Sequence, residues 1–208
     1  MSVLVFADSS EGKFKKTAFE VVSYGKKVAE QLGTNVIALT INASDSSELY
    51  NYGAEKVVSV SNDSLNTFNA KQYASVVTQV AKAESANVLV LDSTINGLYL
   101  APIVAVNLEA GCVSNTVSLP SSTNPFSIKR KAFSNKAFSN TVISTENKVI
   151  GLAKNSFGVH ENPVSGATEP FDAEIIESLV KSEKIERVTG KWYLFGKIIS
   201  PFVLQTTR

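Results

Sequence analysis

Residues 87–119, NVLVLDSTINGLYLAPIVAVNLEAGCVSNTVSL, leave the chain few folds to choose from. An apolar run, Val88–Leu91, delivers the backbone to the polar stretch Asp92-Ser93-Thr94-Ile95-Asn96-Gly97. Pro102 then sits in the first turns of an amphipathic helix, and Gly111 stops that helix ahead of another strand. Strand, loop, helix and strand in that order form a crossover unit, which belongs to a parallel sheet. In open α/β sheets the loop after a strand is where ligands bind. The residues of this loop therefore decide whether the chain holds a ligand or only shares a fold that often does.

The segments before it repeat the alternation. Ser2–Ala7 reads as a buried first strand ahead of the turn Asp8-Ser9-Ser10-Glu11-Gly12. Phe14, Ala18, Val21, Val22, Gly25, Val28, Ala29 and Leu32 follow at helical spacing. Lys15, Lys16, Glu20, Lys26, Lys27 and Glu30 fall on the outer face of that helix, and Gly33 stops it. Asn35–Ile41 and Glu55–Val60 read as strands, with a short helix over Ser44–Tyr52 between them and a longer one over Ala70–Glu84 after them. The strands are apolar throughout rather than alternating, as burial on both faces of a parallel sheet requires. After Pro120 the pattern changes. Ser127–Phe133, Ala137–Ser144 and Lys148–Ala153 are strand-like with only short polar breaks between them, which predicts an antiparallel β-meander. His160–Thr168 reads as a loop, and Asp172–Lys184 as either a helix or an extended arm. The expected architecture is a three-layer α/β/α parallel sheet, Rossmann-like, with an appended antiparallel β-meander.

Composition narrows the function. The 208 residues are 44% hydrophobic, enough for one substantial core. Twenty basic and 19 acidic side chains leave a net charge of +1, which gives no electrostatic case for nucleic acid or an anionic membrane. A single cysteine, Cys112, excludes an internal disulfide framework and a cysteine-based metal cluster. A single histidine, His160, leaves no material for a His-rich zinc site. The N-terminus opens on a strand rather than a signal peptide, and no apolar run approaches the roughly 18 residues of a membrane span. A cytoplasmic protein without membrane insertion is the expectation.

Chemical motifs are sparse. The first loop has neither GxGxxG nor GxxxxGK[ST] order, so Gly12 reads as a turn residue. Ser93, Thr94, Asn96 and Gly97 have two readings: a phosphate cradle at a helix start, or a helix cap and a bend. Leu98 and Ile103 stand where a phosphate site would recruit a cation. Asp8 and Asp92 each end a strand and are placed at one sheet edge as a carboxylate pair, with no histidine or cysteine to make catalytic use of it. No catalytic or metal-binding residue is expected. A nucleotide surface, if one exists, would use Asp8, Gly12, Ser93, Thr94, Asn96 and Gly97. Cys112 reads as a buried small hydrophobe and His160 as a surface residue. Within Lys129-Arg130-Lys131, strand alternation sends Arg130 to the face opposite the two lysines, as a candidate for an interior or interfacial ion pair.

Taken together, SVLVFADSSEGKFKKTAFEVVSYGKKVAEQLG, YGAEKVVSV, VLVLDSTINGLYLAPIVAVNLEAGCVSNTVSL, RKAFSNKA and NKVIGLAKNSF resemble, in order and spacing, the N-terminal domain of the electron transfer flavoprotein alpha subunit, the FixB-type family. The resemblance runs from about Ser2 to about Arg187 and rests on the co-linear set rather than on one motif. It implies a nucleotide-hydrolase-like α/β domain that packs against a beta subunit holding AMP. It further implies a complex that carries electrons from dehydrogenases such as acyl-CoA dehydrogenases through FAD. The FAD would sit mainly in a separate C-terminal domain, so no residue of this chain is expected to contact it. The sequence departs from the family at Leu98 and Ile103, where basic residues are common, and at Asn135, where Gly is favoured. The segments of the FAD domain are also absent. Residues 1–185 are expected to form the α/β domain, and 186–208 a linker remnant with an irregular apolar tail. That tail reads as a truncated or frame-shifted product; the other reading is a C-terminal strand that docks on a partner. The alternative function is a stand-alone nucleotide-binding module without redox function, and a weaker third is a small hydrolase.

Overall fold

The computed structural model describes residues 2–177 and, at the level of the backbone, the two short strands at 192–194 and 197–199. The chain runs β1 (Ser2–Phe6), β2 (Ser9–Ser10), β3 (Lys13–Phe14), α1 (Lys16–Leu32), β4 (Val36–Ile41), β5 (Lys56–Val60), α2 (Ala70–Ala83), β6 (Ala86–Asp92), α3 (Ile95–Asn107), β7 (Gly111–Thr116), β8 (Ser122–Thr123), β9 (Phe126–Ala132), β10 (Ala137–Ile143), β11 (Lys148–Leu152) and β12 (Ala167–Pro170). The expected short helix before β5 is a 3-10 turn over Ser47–Tyr52, closed by Gly53 in the left-handed region.

One sheet organises residues 2–176, in the order β10-β9-β7-β11-β6-β1-β4-β5-β12. All pairings from β7 through to β12 are parallel. β9 joins β7 antiparallel, and β8 and β10 pair antiparallel with β9. The chain winds outward from β1 through β4 to β5, and α2 then returns it to β6 on the other side of β1. The strand order therefore reverses between β1 and β6, and the loops that follow these two strands meet there.

Apolar strands at the centre explain this order. β1 and β4 are buried along their whole length. Val3, Val5, Val36, Ala38 and Val90 point to the side covered by α1, and Leu4, Leu39, Leu89 and Leu91 to the side covered by α2 and α3. α1 approaches β1 so closely that a Cβ on Gly25 would lie 2.3 Å from a methyl of Val5. It ends at Gly33, whose φ of 64° turns the chain so that the Thr34 N–H bonds Ala29 O. At the other helix start, Asn69 Oδ1 accepts the N–H groups of Lys71 and Gln72.

Four local expectations change. The antiparallel extension exists, but it is the hairpin β9–β10. The third expected strand of the meander, β11, leaves the hairpin and enters the parallel sheet between β6 and β7. Val149–Leu152 are buried on both faces, whereas β10 is exposed over nearly its whole length. An apolar strand of that kind is stable only in a sheet interior. Second, the polar segment assigned to a loop contains β12, an exposed edge strand beside β5 whose Pro170 suits an edge. Third, residues 172–177 are neither helix nor strand; the remainder of that expected element, through Lys184, lies outside the described residues.

The fourth change concerns Glu20, placed by periodicity on the outer face of α1 but only 1% exposed. The turn after β11 folds over α1 and donates backbone N–H groups to its carboxylate, from Asn155, Phe157 and Gly158, each at 2.9 Å. Burial opposes the charge, yet these donors outweigh it and hold the carboxyl below its ordinary range.

The compact unit Met1–Ile176 is distinct from Glu177–Arg208. In the second, β13 (Trp192–Leu194) and β14 (Lys197–Ile199) pair antiparallel, so the tail is not irregular throughout. The reading of its origin lies outside the described residues.

Glu20→Gln places an amide among three N–H donors, and its expected cost is about 2–4 kcal/mol near neutral pH by urea denaturation. A carboxylate with a lowered folded pKa contributes stability above its unfolded pKa and loses it as pH falls through the folded value. The gap between wild type and variant therefore closes on acidification; a gap independent of pH would contradict the assignment.

Candidate functional site

At the reversal point the backbone brings together most of the residues singled out in the sequence. β1 leads to Asp8 and β6 ends at Asp92, near enough for the two carboxylates to repel each other. Burial first, and then the charge of Asp92, push Asp8 up to about 6. Lys15, a hydrogen bond from the Asn96 side chain and the Ser9 backbone oppose the rise. The sequence did not mark Lys15 as part of this group, because helical periodicity placed it on a solvated face.

Thr94 caps α3. Its hydroxyl donates to Asp92 Oδ1 at 2.6 Å and accepts the Gly97 N–H at 3.4 Å, while its own N–H reaches the same Oδ1 at 3.2 Å. Gly97 is required by proximity, since an added Cβ would stand 1.9 Å from the Asp92 carbonyl oxygen. The cap and bend reading of Thr94 and Gly97 thus describes their local bonds.

Two candidate residues turn elsewhere. Ser93 donates its N–H to Leu152 O at 2.8 Å and accepts the Asn115 N–H at 3.0 Å, so it stitches β11 and the end of β7 to this corner. Gly12 lies in the tight turn of the small hairpin β2–β3, beside Glu11 and also at positive φ, and its carbonyl accepts the Ser44 N–H. The hairpin folds the first loop back on itself instead of spreading it over the sheet edge.

This arrangement does not suit a phosphate ligand. An anion at a helix N-terminus needs free N–H groups and positive charge. Here Thr94 already caps α3 and donates its N–H and hydroxyl to Asp92, a second carboxylate lies close enough to repel Asp92, and Leu98 and Tyr99 project from the first turns of α3. The pyrophosphate of a flavin or nucleotide would meet two negative groups. Two hollows elsewhere touch none of these residues: one of about 380 Å³ at the opposite sheet end, lined by Asn87, Asn107 and Asn147, and one of about 420 Å³ between α2 and α3. Among the described residues there is no group of His, Cys, Asp and Glu suited to a metal ion, and no helix long and apolar enough to cross a membrane.

The remaining candidates are also placed. Cys112 is exposed, not buried. α3 ends at Asn107, so Cys112 belongs to β7, where alternation buries Val113 and turns its neighbour outward. His160 is on the surface, its ring against Phe157 and its backbone tied to Ser23 Oγ. Arg130 is half-buried and makes no ion pair among the described residues; its Nε is shielded from solvent without a partner. Sequence reading overlooked the exposed apolar residues of the hairpin, Phe133, Phe138 and Val142.

A twisted parallel sheet with helices on both faces, a reversal point and an antiparallel extension defines the class: a doubly wound α/β domain. Comparison with known proteins gives the family. Residues 3–179 match the family described as Electron transfer flavoprotein domain, and the chain belongs to it. It is similar to the electron transfer flavoprotein subunit alpha of Clostridium acetobutylicum, 30% identical over 120 residues covering 56% of this chain and 36% of that protein. The subunit alpha of Bacillus subtilis is 25% identical over 194 residues, 90% of this chain and 59% of that protein. The acryloyl-CoA reductase electron transfer subunit beta of Anaerotignum propionicum is 26% identical over 161 residues, 76% and 44% respectively. The chain thus spans between about a third and three-fifths of the length of these relatives.

The pH dependence of stability tests the carboxylate pair. The unfolded Asp8 titrates near 3.8 and the folded group near 6, so the folded state holds the extra proton between these values. Stability contributed by the protonated form is therefore lost as pH rises through that window. Asp8→Asn is expected to raise stability near pH 7 by roughly 1–3 kcal/mol, and to flatten the slope between about pH 4 and 6 in urea denaturation. An unchanged slope would contradict the pairing.

Proposed function

We propose that this chain is the N-terminal domain of an electron transfer flavoprotein alpha-type subunit, and that its own task is assembly with a beta subunit. In that reading it supports FAD-mediated electron transfer from dehydrogenases such as acyl-CoA dehydrogenases, and it works in the cytoplasm. Proteins of this family are electron carriers, and a flavin does the chemistry while protein supplies binding and orientation. The FAD belongs to a domain beyond the matched region, and this chain positions that domain rather than contacting the flavin. The two carboxylates at the reversal point support this division, because they disfavour a phosphate-bearing ligand there.

The observation that carries the assembly reading is the hairpin β9–β10. Its outer strand β10 is exposed over nearly its whole length, while Phe126, Ile128 and Ile143 at the base of the hairpin are buried in the domain core. A two-stranded ribbon is marginal in water by itself and gains stability when covered. Phe133, Phe138 and Val142 are 80%, 62% and 56% exposed on it, and among the described residues β10 leaves one backbone edge unpaired. Large aromatic side chains held out in this way are typical anchors of an interface.

Co-expression with the beta-type electron transfer flavoprotein subunit from the same genome tests the reading. A heterodimer on size exclusion is expected, and Phe138→Asp should weaken it tenfold or more while the free chain still folds. Absence of any complex would overturn the assembly role. The purified chain alone should show no stoichiometric flavin absorbance; its appearance would overturn the placement of FAD.

A further inference from the structure

α3 presents an apolar surface that neither the carboxylate corner nor the hairpin explains. Its sequence, INGLYLAPIVAVN, contains no charged residue, whereas α1 and α2 both carry lysines. The inner side of α3 packs into the core through Leu100, Ala101 and Val104. The outer side is apolar too, where a helix covering a sheet normally turns charged residues to water. Ile95, Leu98, Tyr99 and Val106 are 74%, 45%, 64% and 77% exposed, and Pro102 stands exposed among them. Together they leave roughly 500 Å² of apolar surface open on one helix, a size at which patches on a single chain are often functional contacts.

The spacing of the patch identifies its occupant. Ile95, Tyr99, Pro102 and Val106 follow one another by four, three and four residues, the seam of a two-helix coiled coil. That spacing is the same read from either end. A second α3 laid antiparallel therefore sets Ile95 opposite Val106 and Tyr99 opposite Pro102, with Leu98 on the flank, and the opposed helix dipoles attract. Because the helix is uncharged, two copies meet there without like-charge repulsion. The hairpin does not allow this: residues 126–143, FSIKRKAFSNKAFSNTVI, hold three lysines, one arginine and no acidic residue, and would repel their own copy. Two stripes of this size bury about 1,000 Å² between them, the lower limit of a specific interface and the range of weak, reversible pairs. We propose that α3 is a self-association face, which packs antiparallel on the α3 of a second copy of this chain about a two-fold axis. α3 shares no residue with the hairpin, so this pairing is independent of the assembly reading.

Sedimentation equilibrium of the full chain from about 1 to about 300 µM tests the pairing, with Ile95→Glu and Val106→Lys measured singly and mixed. The wild type should pass from one chain to two, with a midpoint on the order of tens of micromolar. Each variant alone should weaken self-association roughly tenfold or more, because it sets a charge against an apolar residue twice in every dimer. Both should melt at the wild-type temperature or above, since an acid in the first turn and a base in the last suit the helix dipole. An equimolar mixture should associate to within roughly threefold of wild type, as the two introduced charges then meet across the axis. A wild type that is monomeric at every concentration overturns the proposal. So does a dimer that neither substitution weakens, which places the contact elsewhere on the chain. A mixture that stays monomeric overturns the antiparallel pairing. If the wild type stays monomeric and both variants weaken binding of the beta subunit, that subunit covers α3; self-association is then overturned while the assembly reading stands.

Discussion

The insertion of β11 between β6 and β7 is the constraint on which the rest of this domain depends. It completes the parallel sheet on the side where α3 packs. It also supplies Leu152 O to the Ser93 N–H and places the turn over Glu20. Its position has a second consequence. β7 has its parallel neighbour filled, and its other edge pairs with β9 only near Thr116. The hairpin is therefore anchored at its base, where Phe126, Ile128 and Ile143 enter the core, and β10 is exposed over most of its length beyond it.

Electrostatics divide the molecule between two ends. At the strand ends near β1 and β6, Asp8 and Asp92 concentrate negative charge where related architectures receive phosphate, and Thr94 caps the helix start through the Gly97 N–H. On the hairpin, basic side chains accumulate without acidic counterparts. Glu20 shows that burial alone does not set the outcome. It is more deeply buried than Asp8, but three backbone donors keep it ionised, whereas Asp8 faces another carboxylate.

Most of the sheet was legible because its strands are apolar on both faces, a pattern that only a covered parallel sheet satisfies. The corner made by Asp8, Asp92, Thr94 and Gly97 was legible for the same reason, since strand ends and caps are local signals. Neighbour identity was not. Lys148–Leu152 looks like a strand in either setting, and nothing local says that its partners are β6 and β7. β12 was missed because an exposed edge strand has no apolar pattern to show. Glu20 and Cys112 were assigned to the wrong side of the surface because periodicity describes one element, and the burial of each is set by what packs, or fails to pack, against it.

The proposed function puts the work of this domain at its edge rather than in its sheet-end crevice. Backbone hydrogen exchange, read with and without the beta subunit, tests this most directly. Slowed exchange is expected over Ala137–Ile143 and the hairpin tip, with exchange over 8–12 and 93–97 unchanged. Slowed exchange confined to the loops at Asp8 and Ser93, with β10 unaffected, would contradict it.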